Sequence, residues 1–373
     1  MNLSFEEVVK AYIDCRRHKR NTHHALVFEF DLEKNLFDLY EDLINGSYKI
    51  GRSIVFMVDQ PKVREIWAAE FRDRVVHHII YNRLYPRFYP GFIRNTFACI
   101  PNRGSLDASN RLGSGLRSIT QNWQKPSYFL GADVRNFFIS IHKPTLFEIL
   151  QKKITEQWLL HLVEMVIFHD PRKDCWMKSK KEAFNRVPRH KSLWHTPLER
   201  GLPIGNLTSQ FFANVYLNEL DQFAKHKLKA KYYYRYVDDF IILNDSPDYL
   251  NDCFKRSEEF LVERLKIELH PFKKRLRTID QGVDFVGYFH KPYRRYTRKR
   301  TVNRLKSVAH QWNTSSNAFS ENNLKDFRAS MNSYYGLLRQ SSSYNLRKNL
   351  AKKIDSLFLR SDEGYTKFQI TKS

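Results

Sequence analysis

Apolar residues at helical spacing alternate along this chain with short apolar runs of the length of β-strands. The helical pattern predicts helices over residues 3–13, 32–43, 68–86, 106–121, 146–168, 209–226 and 247–265. Strands are predicted on either side of Pro61, from residue 127 towards 141, across 232–243 and after Gly282. Pro86 is expected to end its helix. The chain beyond the basic run at 294–300 is interpreted as helical and basic, with a tail after Ser361.

Two adjacent carboxylates interrupt the apolar run YYYRYVDDFIIL at residues 232–243. Successive side chains of a strand point to opposite faces, so a continuous buried strand would place Asp238 or Asp239 in apolar surroundings. A hairpin that turns at Val237 would instead present both acids at its tip, although no Gly or Asn marks that turn. The sequence leaves both conformations open. An uncompensated buried carboxylate is costly, and a hard divalent cation such as Mg²⁺ is one means of compensating it.

A metal site of this kind is expected to need another carboxylate from elsewhere in the chain. Asp133 follows the apolar run YFLGA, and Asp284 stands in the similar run GVDFVGYF. Periodicity does not separate these two candidates. Asp133 could also serve only as a cap of the turn or helix that follows it.

The charge balance points to a polyanionic partner. The chain of 373 residues carries 63 Lys and Arg against 40 Asp and Glu, a formal net charge of +23. This excess, together with an aromatic share of 14%, favours nucleic acid, which offers phosphates and stacking bases. Four cysteines without a C-x-x-C pair indicate neither a disulfide framework nor a zinc ribbon. The sequence predicts no signal peptide and no membrane span, and therefore a soluble cytoplasmic protein.

Residues 170–200 are polar, basic and without a regular pattern, and they are interpreted as a long loop. The spacing of the His and Cys residues in and around this loop matches no common zinc site. Its Arg and Lys residues are expected to contact RNA.

The order of the motifs resembles that of reverse transcriptases. D-V-R-N-F-F at 133–138, G-L-P-I-G-N-L-T-S-Q at 201–210 and Y-V-D-D at 236–239 follow one another like the palm motifs of that family. Residues 64–80 resemble the preceding fingers motif, and D-F-V-G-Y-F-H at 284–290 resembles the primer-grip hairpin. The resemblance extends from about Phe56 to His290.

This resemblance implies an α+β right-hand polymerase fold in three parts. The fingers would comprise residues 1–118, with N-terminal helices and strands. The palm, with an antiparallel sheet, would comprise 119–290 and carry a basic insertion at about 170–200. A helical basic thumb and the tail would comprise 291–373.

The resemblance also implies a catalytic centre. Asp133, Asp238 and Asp239 would bind two Mg²⁺ ions, for which Mn²⁺ could substitute, with Asp239 the weaker partner. Lys273, or alternatively Lys274, would lie near the leaving group, and the other possibility for either is an ordinary surface charge.

Further residues are implied to bind the nucleotide and the primer. Those for the dNTP are Phe138, Ile204, Gly205, Asn206, Gln210, Lys62, Arg64 and Arg103. Phe138 would exclude the ribose 2′-hydroxyl, although a core aromatic is the alternative. Ile100 stands where relatives usually have an arginine, and Arg103 would replace it. The implied primer grip is Phe285, Val286, Gly287 and Tyr288.

The motif I-G-N-L-T-S-Q is similar to that of diversity-generating retroelement reverse transcriptases, within the group II intron-like prokaryotic superfamily. Those enzymes copy a template RNA into cDNA with frequent errors opposite adenine, and the cDNA replaces part of a variable protein gene by mutagenic retrohoming. Ile204 stands where other relatives carry Gln, and it cannot form the hydrogen bonds of an amide. The alternative is that Ile204 only packs.

The partners implied by this subtype are template RNA, nascent cDNA, dNTPs and a small basic accessory protein that forms an oligomer. Two other functions stay open. One is another prokaryotic reverse transcriptase, of the abortive-infection (antiphage defence) or intron type. The other is a non-catalytic RNA-binding protein with the same fold.

Overall fold

The structure is a computed structural model that describes residues 2–17, 22–60, 62–314, 321–354 and 359–371. Pro61, expected to separate two strands, lies outside the described residues. The helices are α1 (Phe5–Arg16), α2 (His23–Glu29), α3 (Leu32–Ile44), α4 (Phe71–Phe88), α5 (Ser105–Ile119), α6 (Phe137–Ser140), α7 (Lys143–Gln151), α8 (Gln157–Phe168), α9 (Lys181–Phe184), α10 (Leu207–His226), α11 (Pro247–Leu265), α12 (Lys299–Thr314), α13 (Glu321–Leu338) and α14 (Tyr344–Ala351). The strands are β1 (Ser53–Val58), β2 (Arg64–Ala69), β3 (Tyr128–Asp133), β4 (Cys175–Met177), β5 (Tyr232–Tyr236), β6 (Asp239–Asn244), β7 (Arg275–Thr278), β8 (Val283–Phe285), β9 (Tyr288–Lys291), β10 (Arg294–Thr297), β11 (Leu359–Ser361) and β12 (Phe368–Ile370). These elements confirm the α+β class.

The chain divides into two compact units. The first comprises Met1–Cys99, Gly131–Phe240 and Asn251–Lys274. The second comprises Ile100–Leu130, Ile241–Leu250 and Arg275–Ser373. The finer division into fingers, palm and thumb stays a prediction.

Helix α4 forms the centre of the first unit and packs against α1, α2, α8 and α10. Its apolar stripe, which includes Val75, Val76 and Ile80, is fully buried. The expected end of this helix at Pro86 is wrong, because the helix continues to Phe88. Pro86 lies in the last turn, where it forfeits only one intrahelical hydrogen bond. The next N–H beyond the helix, that of Tyr89, still bonds the Tyr85 carbonyl.

A three-stranded sheet of order β2-β1-β4 forms another part of the first unit. Strands β1 and β2 pair antiparallel, with Val55 opposite Trp67, whereas β4 pairs with β1 in parallel. Strand β4 comes from the region that the sequence analysis interprets as an irregular loop. Buried Leu193 and the Trp194 ring, 4.8 Å from that of Trp67, pack the same region onto the sheet. These apolar residues are too widely spaced to form a periodic pattern.

The predicted helix over 146–168 is two helices, α7 and α8. The polar residues between Gln151 and Gln157 interrupt the apolar repeat at this point. Helix α2 has no counterpart among the predicted elements.

In the second unit, helices α12, α13 and α14 enclose a core that includes Leu305, Trp312, Phe327 and Met331. The rings of Trp312 and Phe327 stack with their centroids 4.2 Å apart. The predicted tail after Ser361 is wrong, because β11 and β12 pair in an antiparallel hairpin. Phe368, only 3% exposed, joins the core. The alternation of Phe368, Gln369 and Ile370 is too short to predict a strand, so the sequence does not reveal this hairpin.

A four-stranded sheet has the order β5-β6-β3-β7. Strand β5 ends at Tyr236 and β6 begins at Asp239, so the run YYYRYVDDFIIL is a hairpin and not a continuous strand. Strand β3 ends at Asp133. Among the described residues, no helix is both long and apolar enough to span a bilayer.

Candidate active site

The turn between β5 and β6 carries one of the predicted acids. Val237 has a φ of 54°, in the left-handed region that β-branched residues rarely adopt. The Val237 carbonyl accepts a 2.8 Å hydrogen bond from Nη1 of Arg235. The turn has neither Gly nor Asn, the residues that usually allow such a conformation. The hydrogen bond from Arg235 on strand β5 stabilises it instead.

Arg235 itself is fully buried and forms an ion pair with buried Asp221 of α10. Its Nε and Nη2 donate to the two carboxylate oxygens at 2.6 and 2.7 Å. The hydroxyls of Tyr233 and Thr96 also donate to this carboxylate, at 2.8 and 2.7 Å. Burial of such a pair is tolerated when its remaining hydrogen-bonding capacity is used, as it is here. This network was not predicted from the sequence. The pattern that could have predicted it is an Arg and an Asp that each stand in a run of apolar residues.

Asp133 and Asp238 lie together at the end of β3 and the hairpin turn. The Val134 N–H donates to the Asp238 carbonyl at 3.2 Å and joins the two backbones. Burial, followed by the nearby charge of Asp133, raises the pKa of Asp238 to about 6. The Asp133 side chain is only 15% exposed. Two neighbouring carboxylates that are both largely buried resist ionising together unless a cation compensates them.

Lys273 is the cation that contacts this pair, through Nζ and Oδ2 of Asp133. The loop that carries it is tied to β3, because the His270 N–H donates to the Asp133 carbonyl at 2.8 Å. Lys274 points elsewhere, with Nζ 2.9 Å from Oδ1 of Asn251 and 4.4 Å from the centroid of the Phe254 ring. Of the two lysines considered from the sequence, the structure therefore brings Lys273 to the acids.

The donor set fits Mg²⁺, which proteins usually bind through one or two carboxylates together with substrate phosphates. Asp239, expected to assist, is half-buried at the first position of β6. Within the described ranges, no three His, Cys, Asp or Glu side chains form a metal-binding group. Asp284, the alternative acid, lies in the second unit and forms an ion pair with Arg298.

The loop that contains I-G-N lies along strand β2. The Trp67 N–H donates to the Ile204 carbonyl at 2.7 Å, and the Ala69 N–H donates to Oδ1 of Asn206 at 2.9 Å. A Cβ at Gly205 would approach the Trp67 carbonyl oxygen to 2.8 Å, which real side chains essentially never do. Glycine is therefore required for the loop to lie this close to the strand.

The segment after Asp133 meets the beginning of the same loop. The Phe138 carbonyl accepts a 2.8 Å hydrogen bond from the Leu202 N–H, and the Phe138 side chain is half-buried. The structure thus brings together Phe138 and the I-G-N loop, which are separated by more than sixty residues in the sequence.

The other residues predicted to bind dNTP in the first unit are surface residues. Gln210 is exposed in the first turn of α10. Lys62 and Arg64 are exposed where β2 begins.

Arg103 and the predicted primer grip belong to the second unit. Arg103 is half-buried in the turn before α5, and its N–H donates to the carbonyl of buried Ile100 at 3.1 Å. The predicted grip forms a hairpin between β8 and β9, in which Phe285 and Tyr288 are buried. Both turn residues, Val286 and Gly287, have positive φ. The hairpin is confirmed, whereas its contact with a primer stays a prediction.

Comparisons with known proteins place this chain in a family. The family model described as reverse transcriptase (RNA-dependent DNA polymerase) matches residues 59–290, which is more than half of the chain and includes all the palm motifs. No curated protein matches the sequence.

Two solved telomerase structures are similar at 12% sequence identity. Apo telomerase from Candida tropicalis, truncated from its C-terminal domain, aligns with a TM-score of 0.45 over 65% of this chain and 53% of that chain. Telomerase from Candida albicans, in complex with a TWJ fragment of telomeric RNA, aligns with a TM-score of 0.48 over 82% of this chain and 55% of that chain. The chain therefore spans about half the length of these telomerase chains. Because the family model covers the segments that carry Asp133, Ile204 and Asp238, the chain belongs to the reverse transcriptase (RNA-dependent DNA polymerase) family.

Proposed function

We propose that this protein copies RNA into DNA at a reaction centre formed by Asp133 and Asp238. The observation that supports this function best is the facing pair of carboxylates at the end of β3 and the hairpin turn. Burial and mutual repulsion raise the pKa of Asp238, so the fold holds the two acids together at an energetic cost. Such a cost is expected at sites where bound cations and phosphates supply the compensation.

Asp133 and Asp238 would hold the metal, with Asp239 as the weaker partner. Two bound Mg²⁺ ions, or Mn²⁺ in their place, would stabilise both the attacking 3′-oxygen and the leaving pyrophosphate. Lys273, already in contact with Asp133, would add positive charge beside the leaving group. Phe138, linked through its carbonyl to the I-G-N loop, would bar nucleotides that carry a 2′-hydroxyl. Lys62, Arg64 and Arg103 would bind the triphosphate, and the β8-β9 hairpin would hold the primer.

The finer proposal is a retroelement enzyme that makes errors opposite adenine. It is supported by the attachment of the I-G-N loop to β2, which restricts where the side chain of Ile204 can lie. An apolar side chain there offers no hydrogen bond to a nascent base pair, so incorrect pairs are rejected less strongly. Template RNA, nascent cDNA, dNTPs and a small basic accessory protein would be the partners of this enzyme in the cytoplasm.

The catalytic role is tested by Asp238→Asn. RNA-templated incorporation of dNTPs with Mg²⁺ should fall by at least about 10³-fold, because roughly 4 kcal/mol of charge stabilisation is lost. Asp245→Asn serves as the matched control, since Asp245 is an exposed partner of Lys125. Incorporation that survives in Asp238→Asn would exclude this centre and favour a non-catalytic RNA-binding protein.

The retroelement subtype is tested by Ile204→Gln. Misincorporation opposite template adenine should decrease roughly tenfold, the effect of about one hydrogen bond. Ile204→Leu keeps an apolar side chain and should leave the error spectrum unchanged. If the Gln variant makes the same errors as the parent, fidelity is set elsewhere and the subtype loses its physical support.

A further inference from the structure

A basic cavity lies in the first unit beside the segment that follows Asp133. Its volume is about 320 Å³. The cationic and imidazole side chains that line it are Arg135, Arg189, His190, His195, Arg200 and Lys266. Arg135 follows the acid-bearing strand β3, Lys266 follows α11, and the other four come from the folded region at 170–200. The cavity thus combines residues of the palm motif with residues of the basic insertion.

The one carboxylate in the cavity wall is already paired. Glu268 accepts a hydrogen bond from the Arg135 N–H through its carbonyl at 2.9 Å, and its Oε2 lies 3.2 Å from Nη1 of Arg135. Arg200 also stabilises the backbone of the wall, because its Nη1 donates to the carbonyls of Ser140 and Lys266 at 2.9 and 2.8 Å. Four cationic residues and one carboxylate therefore line the cavity, although Nζ of Lys266 donates to the Glu263 carbonyl at 2.8 Å.

Arg189 is the lining cation with unused hydrogen-bonding capacity. It lies in the short 3-10 turn of Arg189–Lys191. In the part of the chain that the structure describes, the side chains of Arg189, His190 and His195 form no hydrogen bond or ion pair. A concentration of like charges in a concave site is unfavourable unless an anion enters it.

We propose that this cavity binds a phosphate group. Guanidinium groups present planar N–H donors that match the oxygens of a phosphate, and no free carboxylate of the wall opposes an anion. This inference rests on the proposed function for the source of the phosphate, which is the backbone of an RNA strand or a triphosphate or pyrophosphate near Asp133. The net charge of +23 agrees with either source.

Arg189→Ala is the variant that tests the cavity, because no hydrogen bond or ion pair with the described residues is lost with the side chain. Lys191→Ala is its matched control: Lys191 belongs to the same turn and carries the same charge, but it does not line the cavity. Both full-length variants should have the same melting temperature as the parent protein. Arg189→Lys should retain part of any effect, since it keeps the charge but not the planar fork.

The first measurement is binding of a single-stranded RNA oligonucleotide in EDTA, over a series of salt concentrations. If RNA supplies the phosphate, Arg189→Ala should weaken binding roughly three- to tenfold at low salt and lower the slope of log K against log salt by about one. Lys191→Ala should change neither quantity by as much. This experiment requires no polymerase activity, so its outcome is independent of whether the proposed reaction is correct.

The second measurement is the KM for dTTP and inhibition by inorganic pyrophosphate during RNA-templated synthesis. If a nucleotide or pyrophosphate supplies the phosphate, Arg189→Ala should raise the KM for dTTP and the inhibition constant of pyrophosphate several-fold without changing RNA binding. If Arg189→Ala matches Lys191→Ala in RNA affinity, KM and pyrophosphate inhibition, the cavity binds no phosphate and the inference is wrong. A loss of the proposed function would instead appear as undiminished incorporation by Asp238→Asn.

Discussion

Two sets of charged side chains in the first unit differ in how their acids are compensated. Asp221 is buried against Arg235, and its carboxylate also accepts hydrogen bonds from the hydroxyls of Tyr233 and Thr96. Asp238 instead lies beside a second carboxylate, Asp133, and its pKa is raised. Burial of an acid therefore does not by itself indicate a reaction centre. A reaction centre is indicated where the protein itself does not fully neutralise the charge of a buried acid.

The two sets are also connected. Arg235, whose charge is balanced by Asp221, donates through Nη1 to the Val237 carbonyl at the turn that carries Asp238. The Asp221–Arg235 ion pair thus supports the backbone of the turn that carries Asp238. Stability and function can be separated here by changing one set at a time.

The largest effect on stability is expected from Asp221→Asn. This change leaves the buried guanidinium of Arg235 without its counter-ion, at a cost of about 3–5 kcal/mol in the free energy of unfolding. Urea denaturation would measure the cost. Asp252→Asn, which removes an exposed helical ion pair with Arg256, should cost no more than about 0.5 kcal/mol. If the two variants lose similar stability, the Asp221–Arg235 pair has no special structural role.

A smaller effect, on activity, is expected from Lys273→Met. Incorporation should fall roughly tenfold, which corresponds to about 1.4 kcal/mol of lost stabilisation beside the acids. The free energy of unfolding should change by less than about 1 kcal/mol, because the Lys273 side chain is 47% exposed. Lys274→Met is the control, since Lys274 contacts Asn251 instead. Equal activity of the two variants would remove Lys273 from the proposed centre.

An effect on stability with the opposite sign to that of Asp221→Asn is expected from Asp238→Asn in EDTA. The pKa of Asp238 is raised from 3.8 to about 6 in the folded protein, so the parent loses stability as the pH rises through this interval. The Asn variant has no such charge to bury and should be more stable than the parent at pH 8, by up to about 3 kcal/mol. Near pH 4 the difference should disappear. Unfolding curves at both pH values test this, and a loss of stability at pH 8 would contradict the repulsion between the two acids.

Much of the fold follows from local patterns. Apolar spacing predicts helices such as α1, α3, α10 and α11, because each must turn one face towards a core. It fails for Phe368, whose burial depends on a hydrogen-bonded pairing with Asn332 some 36 residues away. It also fails for β4, which exists only because β1 offers a parallel edge.

The sequence by itself determined the family, because the order of the motifs around Asp133, the I-G-N loop and Asp238 does not depend on their positions in space. Only the tertiary structure decided that the run at 232–243 is a hairpin, since Val237 is a poor turn residue held by Arg235. It also selected Lys273 over Lys274 as the neighbour of Asp133. The positions of charged side chains and the conformations of such turns depend on contacts between distant segments. These contacts produce no periodic pattern in the sequence.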